Sequence, residues 1–109
     1  MSILREARNE FGAIVFAWSG EKMSPGQRGA LIGALDKELG GFLNRKQYLK
    51  ALTGRASSKD LQDSEWYALK TITGYGNMGG VWGFDPEAVQ RMRACIEEAM
   101  RNENQLSMF

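Results

Sequence analysis

Five basic residues lie in the middle of the sequence with no acidic residue among them. Between Glu38 and Asp60 the chain has no Asp or Glu, and the basic residues there are Arg45, Lys46, Lys50, Arg55 and Lys59. Basic residues without acidic neighbours can hold phosphate groups, because they displace condensed counterions from nucleic acid. The sequence therefore predicts a candidate nucleic-acid-binding patch, and an ordinary solvated surface is the alternative.

Side chains for acid–base, nucleophilic or metal chemistry are scarce. The chain has no histidine and one cysteine, Cys95, which removes the commonest general base and argues against a zinc site. The acidic cluster of Asp60, Asp63 and Glu65 falls at a predicted helix start, where it suits capping and the helix dipole better than catalysis. We predict no catalytic residue, no metal and no cofactor, and hence a protein that is not an enzyme.

Residues 74–84, with the sequence GYGNMGGVWGF, combine glycines with three aromatic residues. Glycine-rich loops cradle phosphates where they lead from a strand into a helix, usually with a nearby Lys. This segment follows a predicted helix and has no Lys or Arg, so a nucleotide site is not predicted. We expect Trp82 and Phe84 to pack on the core. The alternative is that Tyr75, Trp82 and Phe84 contact bases, a partner or a second copy of the chain.

The sequence ends in an apolar pentapeptide that follows a polar stretch. Its residues are Gln105, Leu106, Ser107, Met108 and Phe109. Chain ends are normally polar unless they are held in place. Two interpretations follow: the apolar side chains enter a preformed pocket of another protein, with roughly micromolar affinity, or they fold back on the last helix.

Helical periodicity dominates the chain and predicts the elements that position these residues. Apolar residues recur at three- and four-residue spacing from Ile3 to Trp18, as in a helix with one buried face. Four later helices have N-cap signals, two of them followed by proline at the first helical position. The predicted N-caps are Ser24, Asn44, Asp63 and Asp85.

Glycines are predicted to end two of these helices, and each helix has a predicted inner face. Gly40-Gly41 and Gly54 are the stops, since glycine reaches the left-handed C-cap conformation easily. The residues expected to face the core are Ile3, Ala7, Phe11, Ile14, Val15, Trp18, Leu31, Ile32, Leu35, Leu39, Tyr48, Leu49, Leu52, Trp66, Leu69, Ile72 or Ala68, Val89, Met92, Ile96, and Ala99 or Met100.

Size and composition complete the structural prediction. A chain of 109 residues with 43% hydrophobic and 25% charged residues fits one folded domain. The strand signal is weak, so we predict an all-α bundle of about five short helices over residues 1–101, with a glycine- and aromatic-rich loop before the last helix and a flexible tail over 102–109. One cysteine, no signal peptide and no membrane-spanning run predict a soluble protein of the cytoplasm.

The C-terminal pentapeptide resembles the motif by which bacterial proteins bind the β sliding clamp. The common form is Gln-Leu-Ser/Asp-Leu-Phe, which Gln105, Leu106, Ser107 and Phe109 match, with Met108 in place of Leu. The resemblance implies that Gln105 hydrogen-bonds at the rim of the clamp pocket. It also implies that Leu106, Met108 and Phe109 fill its hydrophobic cleft.

The central half of the chain resembles the phage regulatory family named for GemA of Mu-like phages. The matching residues are Leu39-Gly40, Tyr48, Leu49, Thr53-Gly54-Arg55, Ser57-Ser58-Lys59-Asp60-Leu61 and Glu65. Physically, this block is a helix stop, a connector and a capped restart, so it can reflect a shared fold as readily as a shared activity. The resemblance implies an origin in a phage or prophage and a role around DNA.

Together these features predict a phage or mobile-element accessory protein of DNA replication or recombination. In this hypothesis the C-terminal peptide docks on the β sliding clamp in the host bacterial cytoplasm, as recruiter or inhibitor, and the helical body binds DNA or a replication or recombination protein. The alternative is a DNA-binding regulatory protein that uses the basic 45–59 region, with the tail packed on the body.

Overall fold

The computed structural model describes residues 2–40 and 44–107, except for the side chains of Met78 and of residues 102–107. Within these residues the chain forms five α-helices, one short hairpin and a single 3-10 turn at Ser58–Asp60. The all-α prediction is confirmed. The helices are α1 (Ile3–Phe16), α2 (Pro25–Leu39), α3 (Arg45–Thr53), α4 (Asp63–Thr73) and α5 (Pro86–Ser107), and the strands are β1 (Gly76–Met78) and β2 (Val81–Gly83).

Local capping chemistry accounts for where the helices begin. The Ser24 side chain accepts a hydrogen bond from the Gln27 amide, and the Asn44 side chain accepts one from the Gln47 amide. Both N-caps agree with the sequence prediction. The prediction for α4 is wrong by one residue, because its N-cap is Gln62 and Asp63 is the first helical residue. The Asp63 carboxylate instead pairs with Arg28 of α2.

Two helices end at glycines with positive φ. Gly54 closes α3 with φ of 81°, as predicted, and Gly74 closes α4 with φ of 65°. Gly40 follows α2 with a right-handed φ of −65°, so the left-handed conformation predicted at Gly40-Gly41 does not occur at Gly40. Gly41 lies outside the described residues.

The core lies between α1, α3, α4 and α5, and α2 contributes one leucine-rich face to it. The predicted inner faces are largely confirmed, and Cys95 is buried as well. Two of the expected residues differ: Ile3 is 40% exposed and Trp18 is half-buried. The fully buried large side chains include Leu31, Leu35, Leu39, Tyr48, Leu49, Leu52, Leu69 and Ile96.

Residues 76–83 form an antiparallel hairpin where the sequence analysis expected a loop. The register pairs Gly76 with Gly83, Asn77 with Trp82, and Met78 with Val81. Gly79 and Gly80 make the two-residue turn with φ of 65° and 93°, a conformation that glycine adopts without steric cost. The Asn77 side chain also accepts a hydrogen bond from the Gly80 amide at 2.8 Å.

Helix α5 is longer than predicted. The helical domain was predicted to end at residue 101, whereas the backbone of residues 102–107 continues the helix to Ser107. Flexibility of the tail stays a prediction, and Met108 and Phe109 lie outside the described residues. Among the described side chains, Met100 is the last along the chain that packs against the core.

Candidate functional site

Two of the five predicted nucleic-acid-binding residues have acidic partners. Arg45 donates from Nε to Asp36 at 3.2 Å, and Arg55 donates from Nε to Glu65 at 2.9 Å. The Arg45 hydrogen bond, joined by one from Tyr48, lowers the pKa of the Asp36 carboxyl. The inference that these five residues lack acidic neighbours is therefore wrong for Arg45 and Arg55, because Asp36 and Glu65 lie outside the 45–59 segment.

The Asp36–Arg45 pair also involves a buried tyrosine. The Tyr48 hydroxyl donates to Asp36 Oδ1 at 2.6 Å, so a single carboxylate links α2 to two residues of α3. Burial, followed by the neighbouring Asp36 carboxylate, raises the pKa of the Tyr48 phenol, which keeps it protonated as a hydrogen-bond donor. Arg45 therefore contributes to the fold, and less of its charge is available to a phosphate.

The other three basic residues, Lys46, Lys50 and Lys59, belong to two different elements. Lys46 and Lys50 are exposed and lie one turn apart on α3, and neither is in an ion pair with a residue that the structure describes. Lys59 belongs to a different element, the 3-10 turn, where it is followed by Asp60. Lys46 and Lys50 are thus the part of the predicted patch best placed to meet a phosphate backbone.

Arg8 of α1 adds a third positive charge beside the C-terminal half of α3. Its guanidinium donates to the backbone carbonyl of Lys50 at 2.9 Å and to that of Ala51 at 3.4 Å. These bonds satisfy carbonyl groups near the C-terminal end of α3, where a positive charge is favoured. Arg8, Lys46 and Lys50 are called the α1–α3 basic surface below. Arg8 was not predicted as part of this surface because it precedes Lys50 by 42 residues along the chain.

The acidic residues near the start of α4 hold the fold together. Glu65 is buried, binds Arg55 and accepts a hydrogen bond from the Gln62 amide at 3.0 Å. Asp63 pairs with Arg28, whose guanidinium lies 5.6 Å from the centre of the Trp66 ring. These carboxylates are occupied by structural partners, and in the described part of the chain no three Asp, Glu or Cys residues gather into a group that could hold a metal ion.

The aromatic residues of the 74–84 segment border a groove of about 460 Å³. Tyr75 is buried, with its ring centre 5.6 Å from that of Trp82 and 5.1 Å from that of Phe84. Phe84 packs against the core, as predicted. The expectation for Trp82 is wrong in part, since Trp82 leans on Tyr75 but remains 52% exposed, and its neighbour Val81 is 70% exposed.

This groove, called the hairpin groove below, lies between three elements. Tyr75 and Trp82 form one side, Met23 and the first turn of α2 form another, and Lys70 of α4 completes it. The α2 residues that line it include Ser24 and Gln27, whose side chains satisfy each other's backbone amides. Sequence reasoning missed the groove because its residues come from three separate elements.

Three of the five predicted clamp-binding residues lie at the C-terminal end of α5, and Met108 and Phe109 are outside the described residues. The backbone of Gln105, Leu106 and Ser107 forms the last turn of the helix, and their side chains are not described. Earlier in α5, Glu98 accepts hydrogen bonds from the Ser2 hydroxyl and from the Leu4 amide, each at 2.6 Å, and so connects α5 to the start of α1. The Ser2 bond, followed by the Leu4 bond, lowers the pKa of Glu98.

None of the helices in the described ranges is both long enough and apolar enough to cross a bilayer. Comparisons of this chain with protein-family models, curated proteins and solved structures found no match.

Proposed function

We propose that this chain is an accessory protein of DNA replication or recombination that docks on the bacterial β sliding clamp through residues 105–109. The observation that carries the proposal is the peptide Gln105-Leu106-Ser107-Met108-Phe109, which departs from the common clamp-binding motif at Met108 alone. A phage or mobile element acting in the host cytoplasm is the proposed origin, from the resemblance of residues 39–65 to the GemA family.

The structure of α5 is compatible with a peptide that acts outside the body. Gln105 comes five residues after Met100, or about 7.5 Å farther along the helix axis at 1.5 Å per residue. The last turn of a helix lacks some backbone hydrogen bonds and opens at little cost. Residues 105–107 can therefore leave the helix to enter a groove as an extended peptide while Glu98 and the core keep the body folded.

Tethering explains how a peptide of modest affinity would serve such a protein. A peptide that binds the clamp with a Kd of about 1 μM contributes roughly −8 kcal/mol, and it concentrates the attached body at replicating DNA. The same peptide competes with polymerases and other proteins for the clamp pocket. Recruitment and inhibition therefore use the same contact.

Capture by purified bacterial β clamp tests the proposal. We expect wild-type protein to bind an immobilised clamp, and a Gln105→Ala, Phe109→Ala variant to lose at least about tenfold in affinity. Asn102→Ala with Asn104→Ala is the matched control, because it alters the same stretch of chain but leaves the motif intact. Equal capture of the motif variant and the wild type would reject the clamp hypothesis.

The second candidate function is DNA binding through the α1–α3 basic surface. This function is favoured by the position of Arg8 beside Lys50, because Arg8 adds a positive charge from α1 to those of Lys46 and Lys50 on α3. Lys46→Glu with Lys50→Glu should then abolish DNA binding, and wild-type affinity should fall steeply with salt. Lys37→Glu, at the exposed end of α2, is the control. Unchanged affinity in the Lys46 and Lys50 variant would exclude this surface.

A further inference from the structure

The hairpin groove has an apolar interior that the described residues leave open. Met23, Tyr75 and Trp82 contribute its apolar side chains, and Trp82 keeps half of its surface exposed. A volume of about 460 Å³ is within the range of small-ligand pockets and is large enough for one or two side chains of a peptide. Large exposed aromatic residues at such a site are typical of contact surfaces.

The electrostatic character of the groove is positive. Lys70 is the charged side chain among the described lining residues, and it pairs with no acidic residue that the structure describes. The first turn of α2 also lines the groove and contains no Asp or Glu, so the positive end of that helix dipole adds to the charge of Lys70 there. Together these two charges favour an acidic group on the molecule that occupies the groove.

The aromatic geometry favours a peptide over single-stranded nucleic acid. Single-strand binding uses successive aromatic residues for base stacking, but Tyr75 is only 9% exposed and its ring contacts Trp82 and Phe84, which leaves Trp82, 52% exposed, as the one aromatic side chain of the described lining that could stack on a base. A strand of nucleic acid also needs a track of several basic residues along its backbone, and Lys70 stands alone in the lining. An inserted apolar side chain with carboxylates beside it matches both the shape and the charge.

We propose that the hairpin groove binds an acidic peptide segment of another protein, which inserts one large apolar side chain between Met23 and Trp82 and places a carboxylate near Lys70. This interaction goes beyond docking on the clamp and does not require residues 105–109. It gives the helical body a partner of its own, bound beside the hairpin that precedes α5.

Fluorescence anisotropy with a labelled peptide tests this proposal on the full chain. The probe has four aspartates followed by one phenylalanine, and two further peptides replace the aspartates by lysines or the phenylalanine by alanine. We expect the acidic phenylalanine peptide to bind at least about tenfold more tightly than either of the others. Trp82→Ala and Lys70→Glu should each weaken it by about tenfold, whereas Lys37→Glu should not.

Several outcomes would overturn the proposal. They are no binding of the probe at millimolar concentration, equal affinity for the acidic and basic peptides, or unchanged binding by both Trp82→Ala and Lys70→Glu. Binding of a labelled oligothymidine that is tighter than peptide binding and is lost in Trp82→Ala would assign the groove to nucleic acid instead. Circular dichroism and thermal melting of each variant identify any that fail to fold, and two independent variants keep the test decisive.

The test is separable from that of the clamp hypothesis. A chain lacking residues 105–109 should bind the acidic peptide like the full chain, and Lys70→Glu should still be captured by the clamp. Loss of peptide binding in the truncated chain would contradict the proposed groove, whereas loss of clamp capture alone would leave it standing.

Discussion

At the scale of single residues, Asp36 shows how one carboxylate connects two helices. It accepts hydrogen bonds from Arg45 and from the Tyr48 hydroxyl, and the Tyr48 side chain is fully buried. A buried hydroxyl without an acceptor costs about 1–3 kcal/mol. A surface ion pair typically contributes only about 0–1 kcal/mol to the free energy of unfolding. The Asp36 carboxylate therefore contributes more than a surface ion pair does, because it also accepts the hydrogen bond of a buried hydroxyl.

The lowered pKa of Asp36 predicts a pH dependence of stability. Because the folded-state pKa lies below the ordinary value of 3.8, this contribution is complete above that value and is lost as the pH falls through the folded-state pKa. Asp36→Asn should destabilise the protein by about 1 kcal/mol at pH 7. Urea unfolding should show the difference from wild type shrinking below pH 3.8.

The matched control for this prediction is Glu97→Gln. Glu97 is exposed and is in no ion pair with the residues that the structure describes. Its substitution should change the free energy of unfolding by less than about 0.5 kcal/mol at either pH. A difference between wild type and Asp36→Asn that stays the same at pH 7 and pH 3 would show that the Asp36 charge is not linked to folding.

At the scale of elements, Gly74 allows α4 and α5 to approach each other. It ends α4 in the left-handed conformation, and a Cβ added there would lie 2.8 Å from the Cβ of Asp85, just before α5 begins. Both the backbone conformation and the space thus require glycine. The hairpin between these two helices depends on this close approach, because Gly74 and Asp85 are the positions where the chain leaves α4 and enters α5.

Gly74→Ala should therefore destabilise the protein by at least about 2 kcal/mol, from left-handed strain and the contact with Asp85. Gly33→Ala is the matched control. Gly33 lies in the interior of α2 with open space around its Cα, so alanine should stabilise the helix by about 0.5–1 kcal/mol. Chemical denaturation measures both changes. A Gly74→Ala variant as stable as wild type would contradict the role assigned to this glycine.

The hairpin could have been predicted from its turn residues. The pair Gly79-Gly80 is a strong signal for a two-residue hairpin turn. The flanking strands have only three residues each, which is too few to show a clear alternation of polar and apolar residues. The helix starts at Ser24 and Asn44 were predictable because a cap depends on residues within one turn. Asp63 was assigned one position off, since Gln62 and Asp63 are both compatible with a helix start.

At the scale of the whole molecule, α5 connects the two proposed contact sites. It begins beside the hairpin that borders the groove and runs for 22 residues, about 33 Å, to Ser107. Its first four turns pack on the core through Met92, Cys95 and Ile96. A partner in the groove and a clamp on the pentapeptide would thus meet opposite ends of the same helix.

Deleting residues 105–109 tests whether the pentapeptide contributes to the body. We expect the melting temperature to change by less than about 2 °C, because in the clamp hypothesis the pentapeptide binds a groove of another protein and adds nothing to the core of its own domain. Differential scanning calorimetry measures this change. A loss of about 5 °C or more would indicate that the pentapeptide packs on its own domain, as the alternative interpretation of the sequence holds.

The sequence by itself determined the helical class, most helix boundaries and most inner faces, since these depend on capping residues and on apolar spacing within a few turns. It could not determine which charges remain available. Arg45 and Arg55 meet Asp36 and Glu65 only after the helices pack, and Arg8 reaches the end of α3 only in the folded chain. The hairpin groove likewise exists only where α2, α4 and the hairpin converge. Surface charge and shape depend on which distant residues become neighbours, and the tertiary structure alone decides that.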